Sequence, residues 1–293
     1  MGHAAPRWFR AALAESPDHR ETVVDGGRIH LRCWGAQGLP GLVFVHGGSA
    51  NSGWWDHIAP LFAREYRVVA LDLSGHGDSA WRDSYGLKEW AQEVFAATEA
   101  GGIDGPVSVI GHSMGGWVTA TAGALAGERL NGIVIIDSPL NDQPPEEERM
   151  RQRLRAPKVY PDRDTILSRF TAVPPQEVLL PYVRAHIAEE SVRPVEGGWT
   201  WKFDPSMFGQ GRRLLLRELL PEVRCRVGYL RSEFGIVSPE MAAAISELLG
   251  HRALIAELPD AGHHPMLDQP LPLVTALRTL LAGWALEDRK SRM

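Results

Sequence analysis

Five segments of the chain are apolar at almost every position: residues 41–45 (GLVFV), 68–71, 107–110, 132–136 and 227–230. A strand loses its period-two alternation when neither face meets water, so runs of this kind predict a parallel sheet covered by helices on both sides. Between and after them lie stretches with helical spacing of apolar positions, at 54–63, 87–100, 114–125, 239–249 and 271–284. Strand alternating with helix predicts an α/β fold with a doubly wound, mostly parallel sheet. Ahead of this series, residues 21–34 hold two short alternating segments around Asp25-Gly26-Gly27, where glycine accepts the positive φ of a tight hairpin. An antiparallel edge is therefore expected at the start of the sheet, and a last strand near 253–258.

One interval breaks the rhythm. Residues 139–222 hold 11 of the chain's 21 prolines and no convincing apolar strand. They read as short helices separated by prolines, and long interruptions of a compact domain usually carry function. The expected organisation is a core of residues 1–138 and 223–293 with a helical lid at 139–222, inserted after the sixth strand. The charge run at 146–155 (Glu146-Glu147-Glu148-Arg149, then Arg151, Arg153 and Arg155) opens this interval and reads as a solvated helix face.

Composition narrows the function. The 293 residues are 44% hydrophobic and 23% charged, which suits a globular chain. A net charge of −5 gives no case for nucleic acid or an anionic membrane surface as partner. No apolar run approaches the roughly 20 residues of a membrane span. The polar, basic first ten residues do not read as a secretory signal, which makes the cytoplasm the default expectation. Cys33 and Cys225 offer neither a disulfide framework nor a metal pattern, and are expected to be structural thiols. No metal-ligand spacing such as H-E-x-x-H occurs, so no metal or other cofactor is expected. Ten tryptophans against five tyrosines are the compositional oddity.

The sharpest chemical signal is Gly111-His112-Ser113-Met114-Gly115, a G-x-S-x-G pentapeptide directly after an apolar strand and directly before a helix. That context places a serine on a strained strand-to-helix turn, with its hydroxyl above the sheet and the helix N-terminus beneath it to favour negative charge. Further motifs accompany it: Val45-His46-Gly47-Gly48 after the third strand, the stretch Asp72-Leu73-Ser74-Gly75-His76-Gly77-Asp78-Ser79 after the fourth, and Gly262-His263 after the last.

On these motifs the chain resembles the α/β hydrolases over nearly its whole length. The resemblance implies Ser113 as nucleophile and His263 as its base, in the order nucleophile, acid, histidine. It also implies an oxyanion hole from the backbone N–H groups of Met114 and Gly48. His264 is the rival base by adjacency, but the family pattern puts the catalytic histidine directly after the glycine. His46 is expected to brace its loop, and His76 and His112 to pack. The acid is the departure. Family members commonly carry it after the seventh strand in a pattern resembling G-x-x-D, and here Gly235 occupies that slot. Two carboxylates could substitute: Asp137 at the end of the sixth strand, where some members keep their acid, and Glu233, two positions before the vacant slot. A residue at the carboxyl end of a central strand is fixed at the active edge, whereas Glu233 must fold back from a loop, which favours Asp137. Asp260 and Asp268 read as turn and helix-start residues.

A serine at 113 argues against haloalkane dehalogenase and epoxide hydrolase chemistry, which use an aspartate there. The expected reaction is acyl transfer to water, most simply of an ester or lactone. Carbon–carbon hydrolysis of ring-cleavage diketones is the alternative enzyme, and a non-catalytic binding protein is the alternative of another class. Trp54 and Trp55 follow the oxyanion loop, and Trp199 and Trp201 alternate with polar residues in the lid; these four would make an apolar substrate pocket. Trp117 reads more simply as packing. No basic cluster converges on the site in the sequence, which disfavours a multiply charged phosphate substrate.

Overall fold

A computed structural model describes residues 5–140, 155–209 and 216–291; of the charge run at 146–155 all but Arg155 lies outside them, and Arg155 is exposed but not in a helix. Ten strands are present among the described residues: β1 (Asp18–Val24), β2 (Gly27–Trp34), β3 (Gly41–Val45), β4 (Arg67–Leu71), β5 (Val107–His112), β6 (Leu130–Ile136), β7 (Val192–Val195), β8 (Gly198–Trp201), β9 (Val227–Phe234) and β10 (Leu254–Gly262). Eight of them form one sheet in the order β1-β2-β4-β3-β5-β6-β9-β10. Only β1 and β2 run antiparallel to their neighbours, joined by the expected turn, in which Asp25 and Gly26 both have positive φ. The helices are α1 (Arg7–Ala14), α2 (Leu87–Ala100), α3 (Met114–Ala126), α4 (Arg163–Ser168), α5 (Pro181–Glu190), α6 (Leu216–Leu219), α7 (Pro239–Leu248), α8 (Pro265–Asp268) and α9 (Pro270–Ser291).

The continuous apolar runs are divided residue by residue between two cores. Val43, Val45, Val69, Leu71, Val109, Ile133 and Ile135 face one layer, with Trp90 and Val94 of α2, Val118 of α3 and Ile245 of α7. Their neighbours Leu42, Phe44, Val68, Ala70, Ile110, Val134 and Ile136 face the other, with Phe9 of α1 and Leu273, Leu277 and Trp284 of α9. Both faces are thus sealed, and the carboxyl ends of β3, β5, β6 and β10 are left to carry loops. Cys33 is buried and Cys225 half-buried, and both are free thiols whose pKa burial raises to about 11. No helix among the described residues is long and apolar enough to cross a membrane.

Two elements differ from the sequence reading. The helix expected at 54–63 is a pair of short 3-10 turns, Ser52–Trp55 and Ala59–Phe62. Asn51 caps the first by accepting from Gly53 N at 2.9 Å, and Pro60 lacks the N–H that a continuous helix would require. The insertion after β6 is not purely helical: alongside α4 and α5 it holds the β7–β8 hairpin. Four-residue strands are too short to display alternation, and Pro194 argues against a strand except at the edge of a ribbon, which is where it lies.

Two polar clusters seat the insertion on the core. Asp56 accepts from Arg32 Nη1 at 2.7 Å and from His186 Nε2 of α5 at 3.1 Å, while Arg32 also pairs with Glu190. On the other side Gly77 N donates to Lys202 O at 2.7 Å, Asp204 N to Gly75 O at 2.8 Å, and Tyr85 Oη to Asp204 Oδ2 at 2.7 Å. The Asp72–Ser79 motif is therefore partly a docking ledge for the insertion.

Candidate active site

Ser113 stands between the end of β5 and the first turn of α3 with φ 53° and ψ −118°, a strained conformation for a residue with a side chain. The turn closes only because its neighbours are small. A Cβ on Gly115 would lie 2.4 Å from His46 O and 2.6 Å from Val45 O, so the pentapeptide's last glycine lets α3 press against the end of β3. Ser113 N donates to Ile136 O at 2.9 Å, and Ser138 Oγ donates to Ser113 O at 2.7 Å, which fixes the elbow against the end of β6.

His263 follows β10 directly. Its Nε2 lies 3.0 Å from Ser113 Oγ and its Nδ1 lies 2.7 Å from Asp137 Oδ2. A carboxylate can only accept at Nδ1, so Nδ1 carries the proton and Nε2 presents a lone pair to the serine hydroxyl. Asp137 is fully buried at the end of β6, with φ 45°. Its Oδ2 also accepts from Ile236 N at 2.9 Å and its Oδ1 from Ser232 N at 3.2 Å. These donors belong to the end of β9 and the loop after it. The vacant slot at 235 has a steric reason, because a Cβ on Gly235 would lie 2.3 Å from Asp137 Oδ2. The carboxylate from β6 fills the space beside that slot. Glu233 turns outward and accepts from Asp260 N at 2.8 Å, so it does not reach His263.

The remaining histidines hold loops. His46 Nε2 accepts from Leu73 N at 3.1 Å and its Nδ1 donates to Gly47 O at 2.8 Å, tying the glycine loop after β3 to the loop after β4. His112 Nε2 donates to His263 O at 2.7 Å. Burial lowers the pKa of His46, takes that of His112 well below the usual value, and brings that of His264 to about 3. These rings stay neutral near pH 7, so His112 and His264, whose rings lie 4.8 Å and 4.6 Å from that of His263, add no positive charge beside it. Met114 opens α3, so its N–H is among the first-turn donors that lack an intrahelical acceptor. Gly48 lies in the turn closed by Ala50 N donating to Gly47 O at 3.3 Å.

Three groups of side chains among the described residues bring three candidate metal ligands together: His112, His263 and His264; His30, Asp72 and Asp78; and Asp56, His186 and Glu190. None was visible as a sequence spacing. The first holds the histidine already hydrogen-bonded to Ser113 and Asp137. In the second His30 bonds Asp72, and in the third Arg32 bonds both carboxylates.

Ser113 opens into a chamber of about 160 Å³ whose wall includes Gly48, Trp54, Met114, Trp117, Val173, Ile236 and His264. A second chamber of about 290 Å³ shares Gly48, Ser49, Trp54 and Val173 with it and extends under the insertion. Trp54 lines both chambers and Trp201 the outer one. Trp55 and Trp199 do not line either. Trp55 is fully buried against Phe44, at 4.8 Å between ring centroids, because its 3-10 turn points it into the core. Trp199 lies in β8, opposite Pro194, where its backbone also pairs with Tyr160 and its ring lies under the Arg163 guanidinium. Trp117, read as packing, is in the inner wall. Arg155, Lys158 and Arg169 reach the outer chamber although no basic cluster was legible in the sequence, where Arg155 reads as part of a solvated helix face. Gln176 was also missed: its Oε1 accepts from His264 N at 2.8 Å and its Nε2 donates to Asp268 at 2.6 Å, bracing the loop that carries His263.

Comparison with known proteins bears on this arrangement. The model of the alpha/beta hydrolase family matches residues 42–276. The esterase Rv0045c of Mycobacterium tuberculosis is 25% identical over 88% of this chain and 88% of its own length. The lipase LipV of the same organism is 25% identical, over 86% of this chain and 97% of its own. A thioesterase domain from the curacin biosynthetic pathway superposes with a TM-score of 0.76 at 22% identity, covering 89% of this chain and 99% of that one, and shares the fold. The chain belongs to the alpha/beta hydrolase family and is a hydrolase.

Proposed function

We propose that this hydrolase cleaves an ester or lactone of an apolar small molecule through an acyl-enzyme on Ser113. The observation that carries the reading is the relay from Ser113 Oγ to His263 Nε2 at 3.0 Å and from His263 Nδ1 to Asp137 Oδ2 at 2.7 Å. As Ser113 Oγ attacks the carbonyl carbon, its proton passes to His263 Nε2, and the buried Asp137 stabilises the imidazolium. The developing oxyanion is received by the N–H groups of Met114 and Gly48, aided by the N-terminus of α3. His263 returns the proton to the leaving alcohol, which breaks the C–O bond. Water then repeats the sequence on the acyl-enzyme, with His263 as base. A continuous hydrogen-bonded relay favours turnover over ligand storage.

In this reading the insertion of residues 139–222 is the lid, and it is its described residues that roof the pocket. Trp54, Trp117 and Trp201 supply apolar walls, and both chambers expose mostly apolar surface. The experiment is turnover of nitrophenyl butyrate by the wild type and Ser113→Ala, with labelling of each by a fluorophosphonate. Wild type should hydrolyse and label at Ser113, and Ser113→Ala should lose at least about 10³-fold in kcat with an unchanged melting temperature. Retained turnover, or label on another residue, overturns the reading.

A further inference from the structure

The outer chamber is built for more than a hydrocarbon. Its floor is a run of aromatic rings that begins in the chamber of Ser113. Trp54 lies 6.2 Å from Phe170, Phe170 lies 6.1 Å from Trp201, and Trp201 lies 6.3 Å from Tyr160, centroid to centroid. At the far end Lys158 Nζ stands 4.9 Å above the Tyr160 ring. Arg155 and Arg169 complete the rim, and no aspartate or glutamate lines the chamber among the described residues. Three cations at the mouth of an aromatic passage, in a chain of net charge −5, are a local reversal of the protein's overall sign.

We infer that the substrate carries a carboxylate at the end remote from its scissile carbonyl, held by Lys158, Arg169 and Arg155 while its apolar middle lies along Trp54, Phe170 and Trp201. The inference rests on the proposed serine hydrolysis and names the substrate class of that same site. The rings desolvate the chain and the rim keeps the acid end wet. Arg169 offers a guanidinium fork that fits a carboxylate, and Lys158 a point charge. Burying the whole substrate would forfeit the carboxylate's hydration, whereas a rim of exposed cations does not.

The test uses nitrophenyl half-esters of α,ω-dicarboxylic acids of graded length. Each is compared with its neutral methyl diester and with an analogue ending in a trimethylammonium group. A matching series puts the acid on the alcohol side of the scissile ester. Wild type should prefer the acid over its methyl ester in one series by about tenfold in kcat/KM, carried by KM and emerging above a threshold length, with the cationic analogue poorest. That preference should shrink in 0.5 M salt, as expected of exposed charges. In Lys158→Gln/Arg169→Gln the ratio of acid to methyl ester should fall at least about fivefold. A ratio near one in both series, or one unmoved by the double substitution, overturns the inference. Hydrolysis of the neutral esters reports separately on Ser113, so the two readings fail independently.

Discussion

Replacing Gly235 by alanine should disable the relay without unfolding the protein. The added Cβ would lie 2.3 Å from Asp137 Oδ2, 2.5 Å from Oδ1 and 2.6 Å from Cγ. An ordinary carbon–oxygen contact is roughly 1 Å longer, so the carboxylate or the loop must move by about that amount. The carboxylate cannot move freely, because it is held by Ile236 N, Ser232 N and His263. Gly235 is outside the left-handed region, so alanine adds no backbone strain of its own. A 1 Å misplacement of a catalytic constellation costs about 10²-fold, and neutralising a triad aspartate about 10⁴-fold. Gly235→Ala should therefore lower kcat by about 10²–10³-fold, short of Asp137→Asn, with KM little changed. Overpacking should cost about 1–3 kcal/mol of stability, which calorimetry would register as a modest fall in Tm. The complementary swap, Asp137→Gly with Gly235→Asp, returns a carboxylate from the loop, and glycine accepts the φ of 45° at 137. It should exceed Asp137→Gly alone by at least about tenfold. A folded Gly235→Ala enzyme with kcat within threefold of wild type would refute the assignment of Asp137 as the acid.

Two further outcomes concern stability. His57 is fully buried, its Nε2 donates to Met266 O at 2.8 Å, and burial lowers its pKa from 6.5 to about 4. The unfolded chain thus binds a proton between pH 6.5 and 4 that the folded chain refuses. Stability should be level above pH 6.5 for this group and fall by roughly 3 kcal/mol as pH drops to 4. Asp268, raised to about 6 by burial, works in the opposite sense between pH 6 and 3.8. Denaturant titrations across this range should show a shallower acid loss in His57→Gln than in wild type, and equal slopes would contradict the account. Arg32→Ala leaves Asp56 and Glu190 without their shared cation and should cost about 3 kcal/mol, read as a drop in Tm of several degrees; an unchanged Tm would show that the cluster does not hold the insertion.

The sheet was legible because burial on both faces writes itself into the chain as unbroken apolar runs, and the serine elbow because its glycines are demanded by a close approach. Strand ends carry chemistry at fixed places, and Ser113, His263 and Asp137, singled out by the family resemblance together with their places at strand ends, are the side chains that meet. What escaped depends on tertiary folding. Trp54 and Trp55 are adjacent in the chain, yet a 3-10 turn sends one to the pocket and the other to the core. Arg155, Lys158 and Arg169 are spread over a segment with no period, and only the path of the insertion gathers them. The β7–β8 hairpin is too short to alternate, and Gln176 sits in a loop with no motif to mark it.

In the proposed relay the acid stands on β6, and this changes what the loop after β9 is free to become. With Asp137 supplying the charge, that loop contributes the N–H of Ile236 to the carboxylate and the side chain of Ile236 to the chamber wall. Main chain serves the chemistry while side chain serves selection. A substitution at 236 can remodel the pocket and leave the donor in place, since every amino acid but proline brings the same N–H. The enzyme's specificity can therefore drift at this loop under selection without passing through inactive intermediates.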